Sequence, residues 1–349
     1  MGVLQLSIPP DFPLPIPGNL TLLQFLIVLT FVLHIIFVNF TLSFATGAVI
    51  LEASAMKTHS RRLDDMARIC SLHASIHKSI AVVLGVAPLL IISVIYTQYF
   101  YTSTLLIGKA WLSIIILLIT AFLLLYVYKF SWEKWENKKG IHFLVGFAAM
   151  LILLFVPLIF IVNVVSMLYP EKWSGANGFF HSLLHYPQIW QRYAHFILAS
   201  LATGGFYMYL YFSVKQRKQT LSDVEQSLKL GGVKVAFWIT LLQLVFGSLL
   251  LISFDRNIML LFMGDDALLT ALLLLSVFLT ILLCALLYVV SKNDRPSMFY
   301  ASLLCFVLIV GVMGWMRHEV RESYLKPYIN EYPRTIEMKK ENIKPVNKQ

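Results

Sequence analysis

Residues 20–50 read LTLLQFLIVLTFVLHIIFVNFTLSFATGAVI, and this stretch decides the fold. It contains no Asp, Glu, Lys or Arg, and its only ionisable side chain is His34. A helix of about 20 apolar residues is long enough to cross the hydrocarbon core of a bilayer. Because lipid cannot hydrogen-bond to the backbone, such a stretch must be helical inside a membrane. We therefore expect a membrane-spanning helix with a histidine near its middle.

The rest of the chain repeats this pattern. Of its 349 residues, 58% are hydrophobic and only 13% are charged, whereas soluble domains carry about 25% charged residues. The predicted fold is an all-α integral membrane protein, a bundle of about eight transmembrane helices. The predicted spans are 20–50, 73–98, 104–128, 141–168, 189–214, 233–254, 266–290 and 296–316. The predicted domains are a proline-rich outer segment at 1–19, the bundle at 20–316 and a basic tail at 317–349.

Basic residues predict the orientation of the bundle. Lys and Arg concentrate in the loops at 52–72, 129–140 and 215–232, and the alternate loops carry almost none. Such loops face the cytoplasm, so the N-terminus is predicted outside and, with eight spans, the C-terminus as well. We attribute the net charge of +10 to topology and to contacts with membrane lipid, and we exclude nucleic acid. The expected location is the cytoplasmic membrane of a bacterium or archaeon.

Three cysteines, Cys70, Cys284 and Cys305, form no CxxC or CxxCH motif. This spacing argues against covalently bound haem, an iron–sulfur cluster and a Cys-ligated zinc ion. Non-covalently bound haem remains a candidate cofactor, because histidines facing the interior of a helix bundle are the usual ligands of its iron.

His195, in RYAHFILASLATGG, is the strongest candidate ligand for haem iron. Arg192 precedes it by three residues and so shares its helix face, where it is suited to pair with a haem propionate. His34 is the second candidate, because a histidine among Leu, Ile and Phe in a membrane needs an iron or another polar partner. For each of them the alternative is a hydrogen bond between helices, and small residues such as Gly204 and Gly205 are equally typical of helix packing.

The last span ends in GWMRHEVRE, which supplies two more candidates. Adjacent positions on a helix point about 100° apart, so His318 and Glu319 are not expected to face the same site. The alternative is that these charged residues form an ordinary solvated helix end, which the composition alone favours.

Further histidines occur in pairs or alone. His73 and His77 are spaced i,i+4 and suit a further haem, a proton relay or a plain interfacial role. His181 and His185 repeat that spacing in an outer loop, where we favour a surface role or the mouth of a quinol pocket. His142 is interpreted as interfacial. Residues 215–232 are interpreted as polar residues followed by a short amphipathic helix that ends at Gly231-Gly232.

Three of these segments resemble subunit I of the cytochrome bd quinol oxidases in a shortened, divergent form. LLQFLIVLTFVLHIIFVNFTLSFATGAVILE is similar to the family's first helix, and YPQIWQRYAHFILASLATGGFYMYLYF to the helix that binds its quinol-side haem b. GWMRHEVRESYLKPY is similar to the family motif GWxxxExGRQPW. The resemblance implies that His34, His195 and Glu319 ligate haem iron. We expect two or more b-type haems, and the position of His77 in a predicted span adds it as a candidate ligand of a further haem.

Departures from the family pattern bear on the reaction. The family has acidic residues in its third helix that feed protons to the oxygen site. The comparable stretch of this chain is LLIGKAWLSIIILLITAF, which has Lys109 and no carboxylate. In the family, a methionine completes the ligation of the quinol-side haem, and no counterpart of it occurs in ALLTALLLLSVFLT. The family's long outer loop linked to quinol binding is also missing, and the short segment FDRNIMLLFMGDD takes its place.

We therefore expect an electron-transfer subunit of a hetero-oligomeric complex, whose partners are membrane quinol and an outer-side redox protein such as a c-type cytochrome. A quinol-oxidising oxidoreductase subunit is the favoured enzyme class, and no catalytic residue is assigned. The alternatives are an oxygen-reducing quinol oxidase subunit and a transporter or scaffold without cofactor.

Overall fold

Eleven α-helices account for most of the described chain. A computed structural model describes residues 18–292 and 296–331. The helices are α1 (Leu20–Thr58), α2 (Arg61–Ile95), α3 (Thr97–Leu106), α4 (Gly108–Phe130), α5 (Lys139–Leu168), α6 (Gly178–His185), α7 (Ile189–Gln216), α8 (Asp223–Ile252), α9 (Arg256–Leu260), α10 (Ala267–Lys292) and α11 (Pro296–Glu331). Eight of them, all except α3, α6 and α9, are long and apolar enough to cross a membrane. The predicted fold class and span number are confirmed.

The helices extend farther than hydropathy predicted. The predicted loop 52–72 is almost wholly helical, since α1 and α2 are separated only by His59 and Ser60. His59 ends α1 in a left-handed conformation (φ 52°), and the Ser60 hydroxyl accepts a hydrogen bond from the backbone N–H of Leu63 to begin α2. Such caps satisfy helix ends that would otherwise lack partners. The prediction erred because these charged turns continue the helices beyond the apolar core.

Two other predicted boundaries differ from the structure. Gly231 and Gly232 do not end a short helix, because α8 begins at the capping box of Ser222 and Glu225 and runs unbroken through both glycines. The last span does not end at residue 316 but continues as α11 to Glu331. The predicted segment 1–19 lies almost entirely outside the described residues, as does the tail beyond 331.

The three cysteines are buried in helices. Cys70, Cys284 and Cys305 are all free thiols, and Cys70 lies inside α2 rather than in a loop. They therefore act as small apolar packing residues.

Helices α7 and α8 cross at two glycines. A methyl group added to Gly205 would lie 2.7 Å from the Gly232 carbonyl oxygen, and one added to Gly232 would lie 2.6 Å from the Gly205 carbonyl oxygen. The two backbones therefore touch, which is the usual role of small residues between membrane helices. Gly204 packs in the same way against the side chain of Ser43 on α1.

This crossing provides a test of the packing. Gly232→Ala should destabilise the bundle by roughly 1–3 kcal/mol, because the backbones must separate to admit a methyl group. Gly231→Ala is the matched control, since nothing lies within 4 Å of a methyl group there and alanine is the better helix former. Thermal unfolding in detergent should show a lower midpoint for Gly232→Ala alone. Equal midpoints for the two variants would contradict the crossing.

Candidate functional site

His34 is held in the tautomer that a metal ligand requires. Its Nδ1 lies 2.8 Å from the backbone oxygen of Ala81 on α2, and because a carbonyl only accepts, Nδ1 carries the hydrogen and donates. The lone pair is then on Nε2, as in metal-bound histidines whose other nitrogen donates to a carbonyl. Gly85 makes room for the ring, since a methyl group there would lie 2.8 Å from His34 Cε1.

His195 lies near the outer end of α7 and faces α8. Its Nδ1 is buried and has no hydrogen-bond partner in the described part of the chain. The ring lies opposite Gly247, at 3.6 Å from where a methyl group would stand, and Gln243 donates to the His195 backbone oxygen at 3.1 Å. A buried polar atom without a partner is destabilising, so the ring is suited to a group supplied from outside the chain.

Three arginines lie in the same outer half of the bundle. Arg192 is on α7, and Arg317 and Arg321 are on α11. Among the described residues none of them forms an ion pair with a carboxylate, and Arg321 is only 4% exposed with one guanidinium nitrogen unpartnered. Arg317 is close enough to the other two for their charges to repel. We call these three residues the arginine cluster.

The arginine cluster connects the two histidines. The charge of Arg317 acts on the His34 ring, and the charge of Arg192 acts on the His195 ring. Aromatic faces provide part of the solvation that water would give, since Arg317 lies 3.8 Å from the centre of the Phe31 ring and Arg321 lies 5.0 Å from that of Tyr96. Arg321 is buried and the other two arginines are partly buried. Cations withdrawn from water normally pair with anions, so this cluster favours an anionic group that is not part of the chain.

A strained residue sets the position of Arg192. Gln188 is buried with a left-handed backbone (φ 69°), which is uncommon outside glycine. Its side-chain oxygen accepts from Arg192 Nη2 at 2.7 Å and Nε at 3.1 Å. Its amide donates to the hydroxyls of Tyr169 and Tyr324, and Tyr169 donates to Asp255 at 3.3 Å. Burial raises the pKa of Tyr169, so its hydroxyl remains a donor at neutral pH.

Glu319 and His318 face different directions, as predicted from their adjacency. Gly314 packs on α1, and Arg317, His318 and Arg321 follow it at spacings that keep one helix face. His318 is therefore buried on the face shared with the arginine cluster, and its ring contacts Trp315. Glu319 is half-buried and lies near the carboxylates of Glu322 and Asp266. The ligand roles of Glu319 and His318 stay predictions.

The remaining histidines divide into two kinds. His181 and His185, in α6, already have partners, because His181 Nδ1 accepts from the Asn177 N–H and His185 Nε2 lies 2.9 Å from the Lys172 carbonyl oxygen. His73 and His77 lie deep in α2 and are each 5% exposed. Aromatic rings surround His77, so the predicted further haem there lacks an open plane for its macrocycle and remains a prediction.

Sequence reasoning missed Glu52. The structure buries this carboxylate completely, with the Tyr128 hydroxyl donating to it at 2.7 Å and His142 Nδ1 at 2.5 Å. His142 Nε2 donates to the Tyr128 backbone oxygen at 2.9 Å. The interfacial interpretation of His142 was therefore wrong, since this ring is 1% exposed. The missed signal was a carboxylate placed two residues beyond the predicted first span.

The Glu52 contact should stabilise the junction of α1, α4 and α5. Glu52→Ala should lower the free energy of unfolding by roughly 3–5 kcal/mol, because it leaves buried polar groups without their partner. Glu133→Ala is the control, because it removes an ion pair with Arg68 in which the Glu133 side chain is 80% exposed and the Arg68 side chain 55% exposed. It should change the free energy of unfolding by less than about 1 kcal/mol. Chemical denaturation of both variants would measure the difference. If Glu52→Ala lowered the free energy of unfolding by as little as Glu133→Ala, Glu52 would be dispensable for stability.

In the described residues, no group of three or more His, Cys, Asp or Glu side chains is arranged to hold a metal ion. Iron held by a macrocycle needs only one or two protein ligands, so single histidines beside buried cations suit haem better than a bare ion. Fold and side chains together define a helical integral membrane protein built around buried histidines and arginines.

The comparisons with known proteins identify the family. The model of the cytochrome bd terminal oxidase subunit I family matches residues 22–252, and the chain belongs to that family. The bd oxidase of Geobacillus thermodenitrificans has a similar fold, with a TM-score of 0.66, 16% identity and coverage of 90% of each chain. No curated protein matches the sequence. The resemblance found in the sequence is confirmed, and the chain is a multi-pass protein of the cytoplasmic membrane.

The family match covers two of the three predicted haem ligands. Residues 22–252 include His34 and His195, whereas Glu319 lies beyond them. At 16% identity the solved structure supports the fold alone. The case for Glu319 therefore rests on the GWMRHEVRE motif and not on the family match.

Proposed function

We propose that this chain is a haem-binding electron-transfer subunit that carries two or more b-type haems. It would pass electrons between membrane quinol and an outer-side partner such as a c-type cytochrome, within a hetero-oligomeric complex. The observation that carries the proposal is the arginine cluster, three cations without carboxylate partners beside His34 and His195. Haem supplies both missing groups at once, an iron for a histidine nitrogen and propionates for the arginines.

The chain's own residues set the conditions for electron transfer. His34 offers Nε2 because Ala81 holds its other nitrogen, and His195 offers a ring whose Nδ1 has no competing partner. Glu319 or His318 would supply a further ligand from α11. Haem, when bound, supplies the one-electron chemistry. The protein would fix each iron, exclude water and adjust the potential through the nearby arginines.

Oxygen reduction is the second candidate, favoured by membership of a terminal oxidase family. It requires protons to reach the oxygen site. In the family pattern, carboxylates on the third membrane helix provide them, but α4 has none and its Lys109 lies exposed near the outer end. We therefore place haem ligation and electron transfer ahead of oxygen reduction. A cofactor-free transporter or scaffold would leave the arginine cluster unexplained.

Absorption spectra of the purified full-length protein test the proposal. The reduced-minus-oxidised spectrum should show b-type haem, and pyridine haemochrome should give about two or more haems per chain. His195→Ala and His34→Ala should each remove a distinct haem signal. His181→Ala, which changes an exposed histidine, should leave the spectrum unchanged. Carbon monoxide binding to the reduced protein would favour the oxidase, and a spectrum without haem would overturn both candidates.

Arg192 provides a test of the propionate assignment. Arg192→Leu should lower the midpoint potential of the His195 haem by on the order of tens of millivolts, because a nearby cation favours the reduced iron. Arg256→Leu is the control, since Arg256 is exposed at the same end of the bundle. Redox titration of both variants measures the shift. An unchanged potential in Arg192→Leu would place this guanidinium away from the haem.

A further inference from the structure

A groove between α8 and α10 carries two lysines and three aromatic side chains. Its volume is about 530 Å³. It is lined by Lys234, Phe237, Trp238, Tyr288, Ser291 and Lys292. No carboxylate is among these residues, and neither lysine forms an ion pair with a carboxylate in the described part of the chain. The groove is therefore a positive site for which the described residues supply no anion.

The two lysines stand at the end of the apolar part of both helices. No charged residue lies between Lys234 and Asp255, or between Asp266 and Lys292. Lys292 is the last residue of α10. Both lysines therefore lie at a membrane boundary, on the side that the basic loops predict to be cytoplasmic. The headgroups of lipids, with their phosphates, occupy this level of a bilayer.

Aromatic side chains form the walls of the groove. The Phe237 ring centre lies 6.2 Å from that of Tyr288 and 5.1 Å from that of Trp238. Trp238 is 63% exposed and Tyr288 56% exposed, and exposed rings of these two kinds are typical of the headgroup level. The Lys292 ammonium lies 6.0 Å from the centre of the Tyr288 ring, so its charge is held at the wall of the groove.

An exposed apolar surface continues from the groove along both helices. On α8, Leu241 and Val245 extend the helix face of Trp238, and on α10 Phe278 and Ile281 lie on the face that leads to the groove. These four side chains are between 41% and 61% exposed. Such a surface suits acyl chains whose headgroup occupies the groove. The site therefore fits a whole phospholipid better than a soluble anion.

We propose that this groove binds an anionic phospholipid, with its phosphate between Lys234 and Lys292 and its acyl chains along α8 and α10. Lysine binds phosphate as a point charge, and basic pockets between membrane helices bind anionic headgroups at the cytoplasmic side. A zwitterionic lipid brings its own cation, so two lysines attract it less. The arginine cluster lies in the opposite half of the bundle, and this proposal does not depend on haem.

Native mass spectrometry of the intact protein tests the lipid site. The full chain, purified in detergent with its cofactors and any copurified partner, is titrated with phosphatidylglycerol or with phosphatidylcholine of the same acyl chains. We expect the first phosphatidylglycerol to bind at least about tenfold more tightly. Lys234→Gln with Lys292→Gln should weaken its binding by roughly 30-fold, about 2 kcal/mol, because each cation contributes about half of that. Phosphatidylcholine binding should change little.

A second pair of lysines provides the matched control. Lys57→Gln with Lys218→Gln removes two exposed charges at the same end of the bundle but outside the groove, and it should bind phosphatidylglycerol like the wild type. Trp238→Ala removes part of the apolar wall and no charge, so it should weaken both lipids to a similar extent.

Three outcomes would overturn the proposal. The first is equal binding of the two lipids by the wild type, which needs no variant. The second is unchanged phosphatidylglycerol binding in the groove variant. The third is displacement of phosphatidylglycerol by inorganic phosphate at the same concentration, which would make the groove a site for a soluble anion. Loss of a copurified subunit from the groove variant alone would instead identify the groove as a protein interface.

Discussion

The bundle depends on one constraint, that lipid offers no hydrogen-bond partner to any polar group. The backbone meets this constraint by forming helices, and the small turns at His59–Ser60 and Ser222–Glu225 complete it at helix ends. Buried side chains must meet it through one another. Glu52, His142 and Tyr128 do so completely, because every polar atom of the His142 ring and both oxygens of Glu52 have partners. Such a closed set stabilises a junction and leaves nothing over for a ligand.

The arginine cluster shows the opposite situation. Arg192 is directed by Gln188, whose left-handed backbone is a cost that the surrounding tyrosines must offset. Three cations near one another, Arg321 buried and Arg192 and Arg317 partly buried, oppose folding unless an anion joins them. Glu52 has a partner for each oxygen and is therefore a structural contact. The arginine cluster has no carboxylate partner among the described residues and is therefore a candidate binding site.

The sequence predicted what depends on local composition. Long apolar stretches predicted the number and order of the spans, and three short motifs predicted the family. Helix ends were placed wrongly where charged turns continued a helix, as in α2 and α8. The Glu52–His142 contact joins positions 90 residues apart, and no local pattern reveals such a pairing. The tautomer of His34 likewise depends on Ala81, a residue whose own chemistry gives no signal.

Family membership and chemistry depend on different residues of this chain. A fold shared at 16% identity constrains the path of the helices, because packing tolerates many apolar substitutions of similar volume. It does not conserve a reaction, which needs particular groups at particular places. His34 and His195 are the proposed iron ligands, whereas α4 carries no carboxylate that could deliver protons. Electron transfer needs only iron held in a dry interior, but oxygen reduction also needs a proton path. The proposed ligands would meet the first requirement, whereas α4 supplies no carboxylate for the second, and this favours the proposed electron-transfer role.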